Sequence, residues 1–378
     1  MEGVRIEMNF ESFRGKKVFL TGHTGFKGSW LALWLQTLGA KVTGYALAAP
    51  SKPSHFELLR ERGILKIDSV LGDICDYESL RNALFDADPD LIVHMAAQPI
   101  VLRSYRNPIE TYETNVMGTL KVFEAARALI AKRKSEGRKA SGPTDLAVLN
   151  ITSDKCYENK ETLIGYKETD PMGGYDPYSS SKGCAEILFA SYQRSYFPVH
   201  KFGHDHHVLM ASVRAGNVIG GGDWAEDRLI PDLIRGTARG EVTEIRNPTA
   251  IRPWQHVLEP LSGYLTVAAR LLEGDTRVAT GFNFGPHEES CVTVGEILKA
   301  LQSKWSGIQF RLGGEGKLHE AHFLKLDSTK ARTELGWKPV LKFEETIQWT
   351  ANWYKAHQER SDLLTEIQIA EFQSRMFQ

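Results

Sequence analysis

The most constraining feature of this sequence is the alternation of short apolar runs with helical patterns through its first half. The runs KKVFLTG, KVTGYAL, SVLGD, DLIVHMAA and LAVLNITS have the length and composition of buried strands. Amphipathic segments such as GSWLALWLQTLGA and YESLRNALFDA lie between them. Because strands that alternate with such helices form right-handed βαβ units, the sequence predicts an α/β fold with a doubly wound, parallel Rossmann sheet.

A glycine-rich turn follows the first predicted strand and leads directly into a helix. It reads GHTGFKG over residues 22–28, so its spacing is GxxGxxG rather than GxGxxG. Glycines here permit a tight turn, close approach of the backbone to a diphosphate and close contact between helix and strand. The helix N-terminus adds amide donors and a positive dipole end. We predict a dinucleotide site that includes Gly22, His23, Gly25, Phe26 and Gly28.

Further residues lie where such a site needs them, at or after the ends of the next strands. Asp73, followed by Ile74, can accept a hydrogen bond from an adenine amino group. Ala96 and Ala97 end the next strand with small side chains, which leave room for a ribose. Asn115 lies in the helix that follows. The alternatives are an ordinary loop acid, a packing pair of alanines and a helix-start asparagine.

The feature that selects NAD is missing from its usual position. NAD-selective sites hold the ribose 2′-hydroxyl with an acid about 20 residues after the glycines. Here the second strand ends in GYALAAP, residues 44–50, without an acid, and Lys52 follows. The residues alone therefore leave the choice between NAD and NADP open.

Charge and composition exclude several classes of protein. The 378 residues are 42% apolar and carry a formal net charge of −1, which gives no support for a nucleic-acid or membrane-surface binder. No apolar run approaches the roughly 20 residues of a membrane span, and the N-terminus lacks the apolar region of a secretory signal. The scattered cysteines Cys75, Cys156, Cys184 and Cys291 indicate free thiols in a reducing cytoplasm.

Polar residues that could carry chemistry follow the strand LAVLNI, in the segment ITSDKCY. Asp154 and Lys155 stand side by side where α/β enzymes place a general acid and a general base. The alternative is a surface ion pair of little energetic value. Tyr178 and Lys182 are four residues apart and share a helix face, so the cation would lower the phenol's pKa from about 10. Ser153 can hydrogen-bond the same substrate hydroxyl as the phenol.

These motifs resemble the extended short-chain dehydrogenase/reductase family, in particular its sugar-nucleotide branch. The resemblance is carried by TGHTGFKG, HMAAQ, ITSDKCY and YSSSK. Five longer motifs resemble the 4,6-dehydratases of that branch that act on CDP-glucose: RAGNVIGGGDW, DRLIPDLIRG, IRPWQHVLEPLSGYL, FNFGP and LKLDSTKARTELGW. The likeness extends over nearly the whole chain. It implies NAD as cofactor, and a lyase that converts CDP-D-glucose to CDP-4-keto-6-deoxy-D-glucose and water for deoxysugar and lipopolysaccharide O-antigen biosynthesis.

The resemblance also implies a role for each residue. Tyr178 would take the 4-hydroxyl proton while hydride leaves C4 for the nicotinamide, which returns it to C6. Lys155 would remove the C5 proton, and Asp154 would protonate the departing 6-hydroxyl. Related dTDP-glucose dehydratases carry Thr-Asp-Glu where this chain has Ser153-Asp154-Lys155. Which member of the acid–base pair takes the C5 proton stays open.

The second half of the chain is predicted to bind the substrate. Matching the motifs implies that Asn217, Arg228 and Arg252 surround the nucleotide diphosphate, because a planar guanidinium meets phosphate oxygens in pairs. The alternative is structural arginines that bind loop carbonyls. Gln98 and Leu229 are assigned to the substrate on the same basis. We predict an NAD-binding Rossmann domain over residues 1–213 and a mainly substrate-binding lobe over residues 214–378, with segments that return to the sheet.

Several alternatives remain. The histidines His200, His204, His206 and His207 could chelate a metal, but a solvated loop is favoured and no metal is predicted. A 4-epimerase would not need the acid–base pair at C5 and C6, and another nucleotide could replace CDP. A non-catalytic NAD(P) sensor would have no reason to keep the proton-transfer residues. The resemblance implies a homodimer or homotetramer that pairs through helices beside the active site.

Overall fold

The structure is a computed structural model that describes residues 10–138, 142–245, 247–313 and 323–377. Its strands are β1 (Lys17–Thr21), β2 (Lys41–Ala46), β3 (Asp68–Leu71), β4 (Leu91–His94), β5 (Leu146–Ile151), β6 (Val208–Ala215), β7 (Val218–Ile219), β8 (Thr243–Ile245), β9 (Ile251–Pro253), β10 (Gln255–His256), β11 (Gly281–Phe284), β12 (Cys291–Thr293) and β13 (Phe310–Leu312).

Helices cover the sheet and build the second lobe. They are α1 (Phe26–Thr37), α2 (His55–Glu61), α3 (Tyr77–Ala87), α4 (Val101–Arg106), α5 (Pro108–Tyr112), α6 (Gly118–Ser135), α7 (Pro177–Ser195), α8 (Leu229–Arg239), α9 (Leu258–Leu272), α10 (Val294–Lys304), α11 (Thr329–Leu335), α12 (Phe343–Arg360) and α13 (Thr365–Met376). A π-helical turn, Glu113–Met117, joins α5 to α6.

A seven-stranded parallel sheet forms the centre of the molecule. Its order is β11-β6-β5-β4-β1-β2-β3, so the chain winds outward in both directions from β1. The neighbours of β1 are β2 and β4, and the carboxyl ends between β1 and β4 form the switch point at which such sheets bind ligands. The predicted doubly wound Rossmann fold is confirmed.

Two apolar layers enclose the sheet. Trp30 and Trp34 of α1 are fully buried in a large cluster that continues into the second lobe. A smaller cluster on the other face includes Phe123 of α6 and Phe189 of α7. Helix α1 is apolar on nearly all sides because it is buried between the sheet and other helices.

The chain after β5 differs in detail from the sequence-based expectation. The run HVLMASVRAGNVIG forms β6 and β7, with a break at Gly216 and Asn217. Strand β6 ends at Ala215, two residues beyond the proposed domain boundary, and β11 returns to the sheet. Trp353 of helix α12 packs directly against Gly221, where a Cβ would lie 1.9 Å from Trp353 Cγ. The sheet thus continues into the half assigned mainly to substrate.

Two expected absences concern membranes and metals. Among the described residues, no helix combines the length and the apolarity that crossing a membrane would require. The same residues contain no group of three or more side chains placed to ligate a metal ion. Within the histidine segment, His206 Nε2 lies 3.2 Å from the carbonyl oxygen of Pro198.

Candidate active site

A cavity of about 690 Å³ opens at the carboxyl ends of β5 and β6. Side chains from both halves of the chain line it, so the structure brings most of the residues predicted for catalysis and substrate binding together. These are Ser153, Asp154, Lys155, Tyr178, Asn217, Arg228, Leu229 and Arg252.

The acid–base pair is held by a tight turn at the end of β5. Asp154–Cys156 form a single 3₁₀ turn, and Ser153 caps it by accepting a hydrogen bond from Lys155 N at 3.3 Å. The Ser153 hydroxyl donates to Asp154 Oδ1 at 2.9 Å, whereas Oδ2 is buried without a partner among the described residues. Burial raises the pKa of Asp154 despite the opposing charge of Lys155. The carboxyl is therefore biased toward the protonated form that an acid needs.

The predicted phenol and ammonium lie on α7, whose first turn is capped by Asp176. Its carboxylate accepts a hydrogen bond from Ser179 N at 2.9 Å. Burial raises the pKa of Tyr178 to about 12, although a hydrogen bond with Ser153 opposes the shift. This direction is opposite to the expected lowering of the phenol pKa, because desolvation and the negative charges of Asp154 and Asp176 outweigh the Ser153 hydrogen bond and the Arg228 charge. Burial also lowers the pKa of Lys182 to about 8.

Two arginines of the second lobe line the cavity wall. Arg228 precedes α8, and its Nη1 donates to Asp223 Oδ2 at 3.0 Å. Arg252 lies on β9. Its positive charge opposes the rise in the pKa of Asp154 that burial causes, but burial is the larger effect. Both arginines line the cavity together with Asn217, and a diphosphate site requires residues of this kind. Their roles toward a diphosphate stay predictions.

Gln98 and Asn115 bind each other instead of lining the cavity. Asn115 Oδ1 accepts from Gln98 N at 2.8 Å, and its Nδ2 donates to Gln98 O at 3.0 Å and to Ser181 Oγ at 2.9 Å. The Gln98 amide donates in turn to Thr111 Oγ1 at 2.9 Å. The pair ties the segment after β4 to α5 and α7, which positions the helix that carries Tyr178. Their ligand roles stay predictions.

The glycine-rich turn has the shape of a cradle for a diphosphate. Gly22 has φ +79°, and a Cβ there would lie 2.8 Å from the Cα of Ala96. A Cβ on Gly28 would lie 2.1 Å from the carbonyl oxygen of Gly22. Gly25 caps α1, so the first amide groups of the helix face the turn without helical partners. This backbone fits a dinucleotide diphosphate and has no room for a side chain at Gly22 or Gly28.

The other residues predicted for the cofactor lie around this turn. His23 is buried against Ser69, with 2.8 Å from Nε2 to Oγ, and burial lowers its pKa to about 4. Asp73 is exposed and accepts from Cys75 N at 2.8 Å, whereas Ile74 is buried. Phe26 lines the cavity, and Ala96 and Ala97 follow β4, half-buried. His23 is thus a buried packing residue, and among the others Ala96 lies directly against Gly22.

Sequence reasoning missed two features of this site. Lys27, between the glycines, lines the cavity. A lysine in the first turn of a helix opposes the helix dipole, and that was the signal available in the sequence. Glu186 and Arg214 form a buried ion pair with 2.7 Å between Oε2 and Nη2. No local pattern reveals this pair, because its members lie on α7 and β6.

Comparisons with known proteins agree with this architecture. The model of the GDP-mannose 4,6 dehydratase family matches residues 19–350. The CDP-glucose 4,6-dehydratase of Salmonella typhimurium is 50% identical over 360 residues, which are 95% of this chain and 95% of that protein. The chain belongs to the family of nucleotide-sugar 4,6-dehydratases. The resemblance inferred from the motifs is thereby confirmed.

More distant members of this dehydratase family, and related folds, extend the comparison. The dTDP-glucose 4,6-dehydratase of Shigella flexneri is 28% identical over 75% of this chain and 78% of that protein. The structure of a dTDP-glucose 4,6-dehydratase from Streptomyces venezuelae with NAD and TYD bound has a TM-score of 0.68 at 22% identity, over 90% of this chain and 97% of that one. An epimerase from Methanothermobacter thermautotrophicus has a TM-score of 0.77 at 21% identity, covering 95% and 98%. These structures share the fold.

Proposed function

We propose that this protein is a CDP-glucose 4,6-dehydratase that converts CDP-D-glucose to CDP-4-keto-6-deoxy-D-glucose and water with bound NAD. The observation that carries the proposal is that Asp154 and Lys155 line the same cavity as Tyr178. One site thus holds the groups for proton transfer at C4 and those for elimination across C5 and C6. The 50% identity to the Salmonella CDP-glucose enzyme supports CDP-glucose as the substrate.

The residues divide the proton transfers among them. Tyr178 takes the 4-hydroxyl proton while Ser153 hydrogen-bonds the same oxygen. A ketone at C4 makes the C5 hydrogen acidic, and Lys155 removes it as the base. Asp154, whose raised pKa favours the protonated carboxyl, donates a proton to the departing 6-hydroxyl. The hydroxyl then leaves as water, which completes the elimination.

NAD fits the glycine-rich turn and, when bound, would supply the hydride-transfer chemistry between C4 and C6 of the sugar. Residues 22–28 would hold its diphosphate, and Lys182 would lie near its nicotinamide ribose. The chain has no acid at the end of β2, where Leu47 is 62% exposed. Support for NAD over NADP comes instead from related structures solved with NAD, including those from Streptomyces venezuelae and Bacillus anthracis.

An end-point assay tests the proposal. The purified protein is incubated separately with CDP-glucose, dTDP-glucose, GDP-mannose and UDP-glucose, each with and without added NAD. Alkali then reveals a 4-keto-6-deoxy sugar by its absorbance. Of the four nucleotide sugars, we expect only CDP-glucose to give product. We expect no net NADH, because the hydride returns to the sugar.

Other outcomes separate the alternatives. Product from a different nucleotide would keep the dehydratase mechanism and reject CDP-glucose. A 4-epimer without a keto product would favour the epimerase, which has no use for Asp154 and Lys155. Bound NAD without any product would favour the non-catalytic sensor.

We also propose that the enzyme is a homodimer or homotetramer in the cytoplasm. Ile109 of α5 and Ile187 of α7 are 74% and 59% exposed, and these adjacent helices are linked by a 2.6 Å hydrogen bond between Tyr112 and Ser180. Such apolar surface supports pairing through these helices. Light scattering should report a smaller species for Ile187→Glu and no change for the control Ile367→Glu on α13.

We propose further that the product is a precursor of a deoxysugar of the lipopolysaccharide O-antigen.

A further inference from the structure

We propose that Lys27 is a further catalytic residue: its ammonium contacts the reacting hexose and stabilises the oxyanion that forms when the C5 proton is removed. The inference rests on the proposed function. When the C5–H bond breaks, its electron pair forms the C4–C5 double bond and the charge moves to the oxygen on C4. The proton passes to Lys155, and Lys27 forms no covalent bond.

The position of Lys27 is electrostatically unfavourable for a structural lysine. It is the second residue of α1, where the positive end of the helix dipole repels a cation. The adjacent Gly28 packs so closely on Gly22 that a Cβ there would lie 2.1 Å from the Gly22 carbonyl oxygen, which restricts the backbone that carries Lys27. A cation in this place requires a compensating interaction.

The surroundings of Lys27 direct its ammonium toward the chemical end of the cavity. Its Nζ lies 5.9 Å from the centroid of the Tyr264 ring, a cation–π distance. Tyr264 is fully buried on α9, and its hydroxyl has no hydrogen-bond partner among the described residues. The charges of Asp154 and the phenol of Tyr178 both act on that tyrosine. Lys27 also lines the same cavity as Asp154 and Tyr178, the groups assigned to proton transfer.

The positive charge of Lys27 is not balanced by the protein around it. After burial, the strongest influences that lower its pKa, to about 8, are the positive charges of Arg228 and Lys182, and only Asp154 opposes them. Asp154 makes no direct hydrogen bond to Lys27: its Oδ1 accepts from Ser153, and its Oδ2 has no partner among the described residues. A desolvated cation of this kind stabilises an anion strongly.

The developing oxyanion is the anion that best fits this position. Arg228 and Arg252 already line the part of the cavity assigned to the substrate diphosphate. Lys27 interacts with Arg228 and also with Asp154 and Lys182, the residues assigned to the departing 6-hydroxyl and to the nicotinamide ribose, so its charge acts between the diphosphate and the site of proton transfer. A cation fixed before the reaction starts needs no reorganisation as charge develops, so its effect should appear in turnover and in C5 proton removal.

The test compares Lys27→Met with the matched control Lys41→Met, which makes the same change at the exposed start of β2. Both holoenzymes are assayed for turnover of CDP-glucose and for deuterium wash-in at C5 of the 4-keto-6-deoxy product in D₂O, followed by NMR. For Lys27→Met we expect both rates to fall about 100-fold, as for loss of one oxyanion donor. Lys27→Arg should recover part of the loss, because it retains the charge. CDP affinity, NAD content and thermal midpoint should match the wild type, as should every property of Lys41→Met.

Three results would overturn the inference. Unchanged C5 wash-in would mean that Lys27 does not stabilise the oxyanion. Losses that parallel a fall in NAD content or CDP affinity would make it a diphosphate ligand. A lowered thermal midpoint with no recovery in Lys27→Arg would make it structural. If the wild type acts on another nucleotide sugar, CDP-glucose fails as substrate and the comparison is run with that sugar; a wild type without product from any sugar rejects both proposals.

Discussion

The Ser153 hydroxyl donates a 2.9 Å hydrogen bond to Asp154 Oδ1, so the predicted acid is oriented by its immediate neighbour in sequence. The Ser153 hydroxyl oxygen also accepts a hydrogen bond from Lys155 N and interacts with the phenol of Tyr178. One hydroxyl thus interacts with the phenol assigned to C4 and with the carboxyl assigned to the 6-hydroxyl. This arrangement allows the two halves of the reaction to be tested separately by single substitutions.

Replacement of the acid should block elimination while leaving proton removal intact. Asp154→Asn keeps the shape of the side chain and removes the acidic proton, so we expect kcat to fall about 10²- to 10⁴-fold. Deuterium wash-in at C5 should persist when preformed 4-keto-6-deoxy product is supplied to the variant in D₂O. Rapid-scan absorbance should show reduced nicotinamide accumulating with substrate, because the oxidised sugar waits for water to leave. Loss of wash-in together with turnover would instead make Asp154 the base.

Replacement of the base should have the opposite pattern. Lys155→Met retains the length of the side chain and removes the amine, so C5 wash-in should fall about 10²- to 10⁴-fold together with turnover. Lys160→Met, on a nearby residue that also lines the cavity, is the matched control and should retain both rates. Wash-in at the wild-type rate in Lys155→Met would contradict the assignment.

The sequence predicted the first five strands because each is an apolar run followed by a turn or a helix. Strand β11 is only four residues long and is held by β6, which precedes it by more than sixty positions, so its pairing depends on tertiary structure. The hydrogen bonds between Gln98 and Asn115 could not be predicted from the sequence for the same reason. The phenol's pKa was predicted in the wrong direction, because its burial depends on the closed fold.

Lys27 shows a different limit. The motif that contains it was interpreted through its glycines, whose spacing predicts the dinucleotide turn. The intervening lysine carries no periodic signal, and its interaction with the charges of Asp154 and Lys182 depends on tertiary structure.

Adding a side chain to the glycine-rich turn should abolish cofactor binding. A Cβ on Gly28 would lie 2.1 Å from the Gly22 carbonyl oxygen, so Gly28→Ala must displace the backbone that fits the diphosphate. We expect the purified variant to contain little NAD and to regain little activity when NAD is added. Gly15→Ala is less suited as a control, since φ +73° there strains any side chain. Gly295→Ala is preferable, because only ordinary contacts surround its Cβ, and it should retain NAD. Normal NAD content in Gly28→Ala would place the diphosphate elsewhere.

The buried ion pair behind Lys182 should be required for stability. Glu186 accepts from Arg214 at 2.7 and 2.9 Å and also from Ser212 at 2.8 Å, and both charged side chains are buried. Glu186→Gln leaves the guanidinium without its counter-charge, which should lower the free energy of unfolding by about 3–5 kcal/mol at neutral pH. Arg138→Gln, at an exposed ion pair with Asp88, is the comparison and should cost about 1 kcal/mol or less.

The effect of Glu186→Gln should depend on pH in a definite direction. Burial alone raises the pKa of Glu186, but the Arg214 charge and the hydrogen bonds from Arg214, Thr152 and Ser212 outweigh it, so the pKa lies below its ordinary value. The ionised carboxylate therefore contributes stability above the pKa of the unfolded chain, and this contribution is lost as the pH falls through the folded-state pKa. Denaturant unfolding at a series of pH values should show the wild type and Glu186→Gln differing most near neutrality and converging in acid. A difference that grows toward acid would mean that Glu186 is protonated in the folded protein.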